Sequence, residues 1–436
     1  MVPKQKNRAQ VNLFSSFEDM LNQKHPLFIL ANKVRWEVFE EAFLPLYSAD
    51  NGRPAKPIRL MVGLLILKHL RNISDESVVE QWSENAYYQY FCGEESFVPK
   101  QPCNASELVH FRHRIGQQGV ELILKESIRI NGEDSDDDDV NIDTTVQEKN
   151  ITFPTDGKLH RKIIDKCKQI AKEQAIVVRQ TYTKTLKKLF VDQRFRNHPR
   201  NKAKARKADR KLKTIAGRLV RELQRKLPVD SAYLTTLSLY ERVLSQSRAS
   251  KDKIYSLHEP EVCCISKGKE HKKYEFGNKA SFVKTDTGVI VGAMGFRNQY
   301  DGHTLDPVLE QVERLTGKSP VNAKVDRGYR GKSKVRNTTI LIPSTPKKTD
   351  SYYKRKKLSN AHKKRAGIEP IIGHIKADHR LNRNFYKGIA GDNINIMLAA
   401  AAFNFKRMIN KWKSFFVLFL EAVFKATYYR NILQIR

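Results

Sequence analysis

The chain is 436 residues long, 40% hydrophobic and 9% aromatic, with 80 Lys+Arg against 47 Asp+Glu and a formal charge of +33. That length allows two or three domains with a sizeable core. That charge draws the protein to polyanions, nucleic acid first, because its phosphate backbone is so dense in charge.

The longest apolar runs, such as "FFVLFL" at 415–420, fall far short of the ~20 residues of a membrane-spanning helix. No apolar stretch follows the N-terminal "MVPKQKNRAQ", so a secretory signal is not expected. Five cysteines, Cys92, Cys103, Cys167, Cys263 and Cys264, show no C-x-x-C spacing. They fit a reducing cytoplasm and do not support a structural zinc site.

Residues 14–130 read as a helical unit. In "KPIRLMVGLLILKHLRN" (56–72) the apolar residues Leu60, Val62, Leu64, Leu65, Leu67 and Leu70 recur at helical spacing. Ser74 is placed to cap a second helix whose first turn is acidic. "SELVHFRHRIG" (106–116) reads as a third, with Ser106 as cap and Gly116 as stop. Short helices with basic outer faces suit DNA docking, and they suit an ordinary helical bundle equally.

An acidic run follows, with Glu133, Asp134, Asp136, Asp137, Asp138 and Asp139 close together. Adjacent like charges repel, so 131–139 reads as a solvated linker and not as one metal site. In "VNIDTTVQ" the residues Val140, Ile142, Thr144 and Val146 alternate with Asn141, Asp143 and Thr145, the period of a strand, with Asp143 opposite the apolar face.

Residues of about 158–250 turn to long, charged, helix-forming sequence. "RFRNHPRNKAKARKADRKLKTIAGRLVRELQRK" (194–226) carries only Asp209 and Glu222 against its cations. Arg206, Lys207, Arg210 and Lys211 are its candidate phosphate contacts.

From 254 the strands return. "KYEFGNKASFVKTDTGVIVGAMGFRN" (273–298) reads as two or three strands with a Thr-Gly turn at 287–288. In "DPVLEQVERLTG" (306–317) Asp306 is the expected cap, Pro307 the first helical residue and Gly317 the stop. "NAKVDRGYRG" (322–331) is a short strand ending on Asp326, and "NTTILIPST" (337–345) another. "NAHKKRAGIEPIIGHIKADHRL" (360–381) reads as one helix around Pro370. The alternation from 140 to 410 predicts an α/β domain with a mixed sheet, interrupted by a helical insertion. The tail 411–436 is an apolar and basic helix, either on the core or on a partner.

Three acids stand out: Asp143 in the first strand, Asp326 at the end of a later strand where open α/β sheets bind ligands, and Glu369 on a helix beyond. Oxygen donors converging from separate elements suit hard cations such as Mg²⁺ or Mn²⁺. Arg365, Glu369 and Lys376 follow an R-x3-E-x6-K spacing, which sets all three on one helix face. By itself the R-x3-E pair also fits an ordinary helix ion pair. Asp156 is a rival first acid, but it lies outside the alternating strand. Asp301 and His303 read as residues that position a turn, and His374 and His379 as surface residues without companion ligands.

"GRPAKPIRLMVGLLILKHLRNISDESVVEQWSENAYYQYFCG" (52–93) resembles the N-terminal domain of InsH-type insertion-sequence transposases. "IDTTVQEKNITFPTD" (142–156), "NQYDGHTLDPVLEQ" (298–311), "VDRGYRG" (325–331) and "RAGIEPIIGHIK" (365–376) resemble, in order, the blocks of the DDE catalytic domain of the same group. The resemblance covers residues 14–410. It implies an RNase H-like fold with Asp143, Asp326 and Glu369 as catalytic, metal-holding residues, and Arg365, Lys376, His362 and Arg327 on DNA. The group's Tyr-x2-Arg-x3-Glu-x6-Lys signature has His362 in the Tyr place, a departure that bears on that residue's role more than on the site.

The implied protein is a DNA transposase of the bacterial cytoplasm and nucleoid. It would bind terminal inverted repeats of an insertion sequence and, with two Mg²⁺ or Mn²⁺ ions, cleave and transfer strands. Its partners would be double-stranded DNA of element ends and target, with no membrane, and it would act as a homo-oligomer assembled on DNA. The alternatives are a domesticated or inactive transposase-derived DNA-binding protein, and an RNase H-like nuclease without strand transfer.

Overall fold

The computed structural model describes residues 16–48, 54–247, 249–266, 273–347 and 349–433, with side chains up to 412. Two compact units share the chain: residues up to 147 together with those from 279 on, and residues 148–278.

Among the described residues the first unit opens with seven helices: α1 (Phe17–Met20), α2 (Pro26–Lys33), α3 (Trp36–Phe43), α4 (Ile58–Leu70), α5 (Asp75–Glu84), α6 (Ala86–Phe91) and α7 (Ala105–Ile130). In α4 every residue except Arg59 is buried, as a helix with no polar side requires. Its buried Lys68 is compensated by Asp75, at 2.8 Å, an acid that also takes both Nη groups of Arg112.

Ser74 caps α5 as expected, accepting from the Ser77 amide. The expectations for α7 need correcting. Asn104, not Ser106, caps it through a capping box with Glu107, which leaves Ser106 inside the first turn. Gly116 does not stop the helix. It takes φ 58° and ψ −161° and kinks it, and the helix continues to Ile130.

The acidic run after α7 is less free than a solvated linker. Residues 132–135 form a 3₁₀ turn, and Asp134 pairs with Arg407 at 3.0 Å and Lys411 at 2.6 Å. Asp136 and Asp138 meet Lys318, although both stay exposed. Asp139 pairs with Lys324 at 2.8 Å and already belongs to the strand β1 (Asp139–Lys149). These carboxylates are distributed over cations from later in the chain, which offsets the repulsion between neighbours.

The second unit carries α8 (Asp156–Glu173), α9 (Thr183–Asp192), α10 (Pro199–Lys226), α11 (Tyr233–Ser245) and β2 (Cys263–Ile265). Its core is its own, built around Ile163, Ile164, Leu212, Ile215, Leu219 and Leu237. In α10 Ala205, Ala208, Leu212, Ile215, Leu219 and Leu223 are buried at helical spacing. Arg206, Lys207, Arg210 and Lys211 stay on the exposed side. This unit is wider than the helical stretch of about 158–250 expected from sequence.

The sheet then fills out with β3 (Glu275–Thr285), β4 (Ile290–Phe296), α12 (Leu305–Thr316), β5 (Asn322–Lys324), β6 (Lys334–Val335), β7 (Thr338–Leu341), α13 (Tyr352–Ala366), α14 (Ile368–Asp378), β8 (Arg383–Asn384) and α15 (Gly388–Leu433). Thr304, not Asp306, is the N-cap of α12, and Gly317 ends it at φ 80°. The strand order is β2–β3–β1–β5–β7–β6, with β4 also on β3 and β8 also on β1. β3 and β4 are antiparallel, while β1–β5 and β5–β7 are parallel. This mixed sheet with helices is RNase H-like. The early part of α15, rich in alanine from Ala399 to Ala402, is buried and packs along α7, α4 and β4; residues 434–436 of the tail lie outside the described residues.

One expected helix is two. α13 and α14 meet at Gly367. Pro370 has no amide hydrogen to give the carbonyl four residues back, so it is tolerated only within the first turn of a helix. α14 therefore starts afresh at Ile368.

Candidate active site

Strand register sets the first two acids. β1 and β5 run parallel with Asp139 opposite Asn322 and Asn141 opposite Lys324. Two residues further along the same face, Asp143 within β1 and Asp326 just past the end of β5 come beside one another, because side chains repeat on a face every two residues. Each carboxylate anchors one oxygen on backbone. Asp143 Oδ1 accepts from the Thr144 amide at 2.8 Å, and Asp326 Oδ1 from the Gly328 amide at 2.8 Å. The other oxygen of each faces one side chain, Arg365.

Arg365, in the last turn of α13, gathers the third acid too. Its Nη2 lies 3.5 Å from Asp143 Oδ2 and 3.7 Å from Asp326 Oδ2, and its Nη1 lies 3.1 Å from Glu369 Oε1. The break at Gly367 leaves Arg365 and Glu369 on different helices yet still in contact, so the spacing survived where the single helix did not. Glu369 is the most open of the three acids, with 59% of its side chain exposed against 14% for Asp143. Lys376, half-buried, lies two turns further along α14.

A cleft of about 290 Å³ opens beside the acids, lined by Val325, Asp326, Arg327, Ile342, Pro343, His362 and Arg365. His362 Nε2 donates to the Ser344 carbonyl at 3.0 Å, and Arg327 reaches the Thr345 hydroxyl. The histidine in the expected Tyr place is therefore oriented by backbone at the wall of the cleft.

The sequence reading missed two groups of residues around the acids. Asp301 Oδ1 accepts from Lys279 Nζ at 2.9 Å and from the Thr144 hydroxyl at 3.1 Å, which ties β3 and the turn before α12 to the residue next to Asp143. "YDGHTL" was the available signal, and its acid makes these two contacts from the turn it was expected to position. On the other side Asp286 accepts from Asn141 at 2.8 Å and pairs with Lys324 at 3.1 Å and Lys364 at 2.7 Å. Burial opposes its ionisation, but the hydrogen bonds from Lys364, Asn141 and Lys324 outweigh it and hold the Asp286 carboxyl down at about 2. Tyr329 is buried beside the acids, and burial first, then the nearby Asp301 and Asp143, push its hydroxyl pKa up.

The rival candidates stay outside the cluster. Asp156 is the exposed first residue of α8. His374 pairs with Asp378 at 3.0 Å, and buried His379 bonds the His69 carbonyl. Among the described residues no three His, Cys, Asp or Glu side chains are grouped closely enough to share an ion in this conformation, since the guanidinium stands between the acids. The donor set itself, three carboxylates with only oxygen to offer, fits a hard divalent cation.

Residues 15–114 match the family model of a transposase domain (DUF772), and residues 249–405 match that of the transposase DDE domain. An uncharacterized protein, ORF8 of the nfe locus of Rhizobium meliloti, is 40% identical over 206 residues, which are 99% of its length and 46% of this chain. The chain belongs to the DDE transposases of bacterial insertion sequences. No solved structure matches it.

For a transposase the substrate is DNA. Asp326 and Glu369 fall inside the DDE match, whereas Asp143 lies between the two matched segments. Among the described residues no helix is long and apolar enough to cross a membrane.

Proposed function

We propose that this transposase binds the terminal inverted repeats of its own element, cuts the DNA there and joins the freed 3′ end to target DNA, with Asp143, Asp326 and Glu369 as its catalytic acids. The observation that supports this most is their meeting around one guanidinium from three separate elements, β1, the loop after β5 and α14.

The three carboxylates would hold two Mg²⁺ ions, or Mn²⁺ in their place, and such ions supply an activated water or 3′-hydroxyl and stabilise the leaving oxygen. The protein's own part is positioning. Backbone amides of Thr144 and Gly328 fix the two aspartates, so little reorganisation is needed when charge develops at phosphorus. Arg365, Lys376, His362 and Arg327 bind the phosphates that flank the scissile bond. Arg206, Lys207, Arg210 and Lys211 on α10 bind the DNA backbone as well. Both element ends must be held for joining, so the working form is a homo-oligomer on double-stranded DNA, in the bacterial cytoplasm and nucleoid.

Asp143→Asn keeps size and hydrogen bonding while removing the charge. With a duplex taken from the element's own end, Asp143→Asn protein should bind as the native protein does and fail to cut in Mg²⁺. Full cleavage by this variant would sink the assignment.

A further inference from the structure

The three acids are not an unneutralised cluster. One guanidinium already faces Asp143 Oδ2, Asp326 Oδ2 and Glu369 Oε1, all within 3.7 Å. A divalent ion held by the same acids needs those oxygens, and a cation in that place repels a guanidinium, so the two cannot occupy the site together. Arg365 is also poorly satisfied where it sits. Its Nε is buried without a hydrogen-bond partner among the described residues, a cost that a well-fixed structural arginine avoids. Nor does the core hold it there, because α13, which carries it, buries none of its residues, and an element with few buried contacts shifts easily.

We propose that Arg365 is the internal counter-ion of the metal site: it offsets one of the three negative charges in the metal-free protein, competes with the divalent cation for the same carboxylate oxygens, and turns out of the triad when the cation enters. The displaced guanidinium then lies at the cleft, where it meets a DNA phosphate. The inference rests on the reading of Asp143, Asp326 and Glu369 as the metal-holding acids. It adds that metal affinity is held down by a residue of this chain until DNA offers that residue another anion, and such coupling is reciprocal.

The test is Mn²⁺ binding to the full-length protein without DNA, read from the loss of the free-ion electron paramagnetic resonance signal. Arg365→Gln removes the competing charge and should bind Mn²⁺ about tenfold more tightly than the native protein. Arg365→Lys keeps a charge but loses the fork that spans three acids, so it should fall between the two, and it decides the matter if Arg365→Gln fails to fold by circular dichroism. Adding Asp143→Asn to Arg365→Gln should weaken binding again. If both Arg365 variants bind no more tightly than the native protein while Asp143→Asn still weakens binding, the counter-ion role is wrong and the metal-holding role of the acids stands. If Asp143→Asn leaves Mn²⁺ binding in the Arg365→Gln protein unchanged, the ion sits elsewhere, and the assignment of the acids falls together with this inference.

Discussion

At the scale of single residues, the two aspartates are held by groups whose chemistry leaves little freedom. A Cβ on Gly328 would lie 2.9 Å from Asp326 Oδ1 and 3.4 Å from Asp301 Oδ2, so Gly328 is there because the carboxylates come so close to the backbone. Asp301 acts through Thr144 and Lys279. Asp301→Asn keeps an acceptor for Thr144 and loses the charge opposite Lys279, and cleavage should fall by about 10–100-fold, as when an outer partner of a ligand is removed. Unchanged cleavage rates across a Mg²⁺ titration would show that Asp301 only shapes its turn. Asp286 makes a prediction about pH. Its carboxyl is held at about 2 against an ordinary 3.8, so its ionised form stabilises the fold above the unfolded value, and that contribution disappears as pH falls through about 2. Asp286→Asn should therefore lower resistance to urea at pH 7, and the gap to the native protein should shrink between about pH 4 and pH 2. A gap independent of pH would mean that the loss is one of packing.

Among the elements, two breaks depart from the expected helices, one at Gly116 and one at Gly367. Gly116 bends α7 with φ 58° and ψ −161°, a backbone that a side chain rarely adopts, although a Cβ there would meet nothing within 4 Å. Gly116→Ala should thus cost about 1–3 kcal/mol through backbone strain alone, measurable as a lowered thermal midpoint; no change would show that the bend relaxes at little cost. Gly116 was read from sequence as a stop because glycine punctuates helices, but α7 continues past it, with Val120, Ile123 and Leu124 buried beyond the bend. Pro370 was visible too, yet a helix-spaced R-x3-E-x6-K pattern gives no hint that its first residue belongs to a separate helix. Spacing fixes which side chains meet along a helix, and here the Arg365–Glu369 contact outlasts the break because the joint at Gly367 is itself nearly helical, at φ −61° and ψ −8°.

For the whole molecule, charge is the property with the widest reach. The exposed side of α10 presents Arg206, Lys207, Arg210 and Lys211 over a stripe of buried apolar residues. Replacing the four by glutamine should weaken DNA binding evenly across sequences and lower the slope of log affinity against log salt by about one for each residue that touches a phosphate. An unchanged slope would remove α10 from the interface. The sequence by itself determined the surplus of cations, the helical start and the α/β alternation, because these rest on composition and on period, while the three acids stood out through the resemblance of blocks such as "VDRGYRG" to a known family. The partners of those acids were decided only by tertiary structure. Asn141 and Lys324 lie nearly two hundred positions apart and become neighbours through parallel strand register. Asp286, in the turn after β3, meets Lys364 on α13, and the acidic run at 133–139 finds Lys318, Arg407 and Lys411 only when later elements return to it. A sequence shows how many charges a chain carries and at what local spacing. Which opposite charge each one meets depends on contacts between distant segments, and at this site those contacts place Arg365 among the three acids.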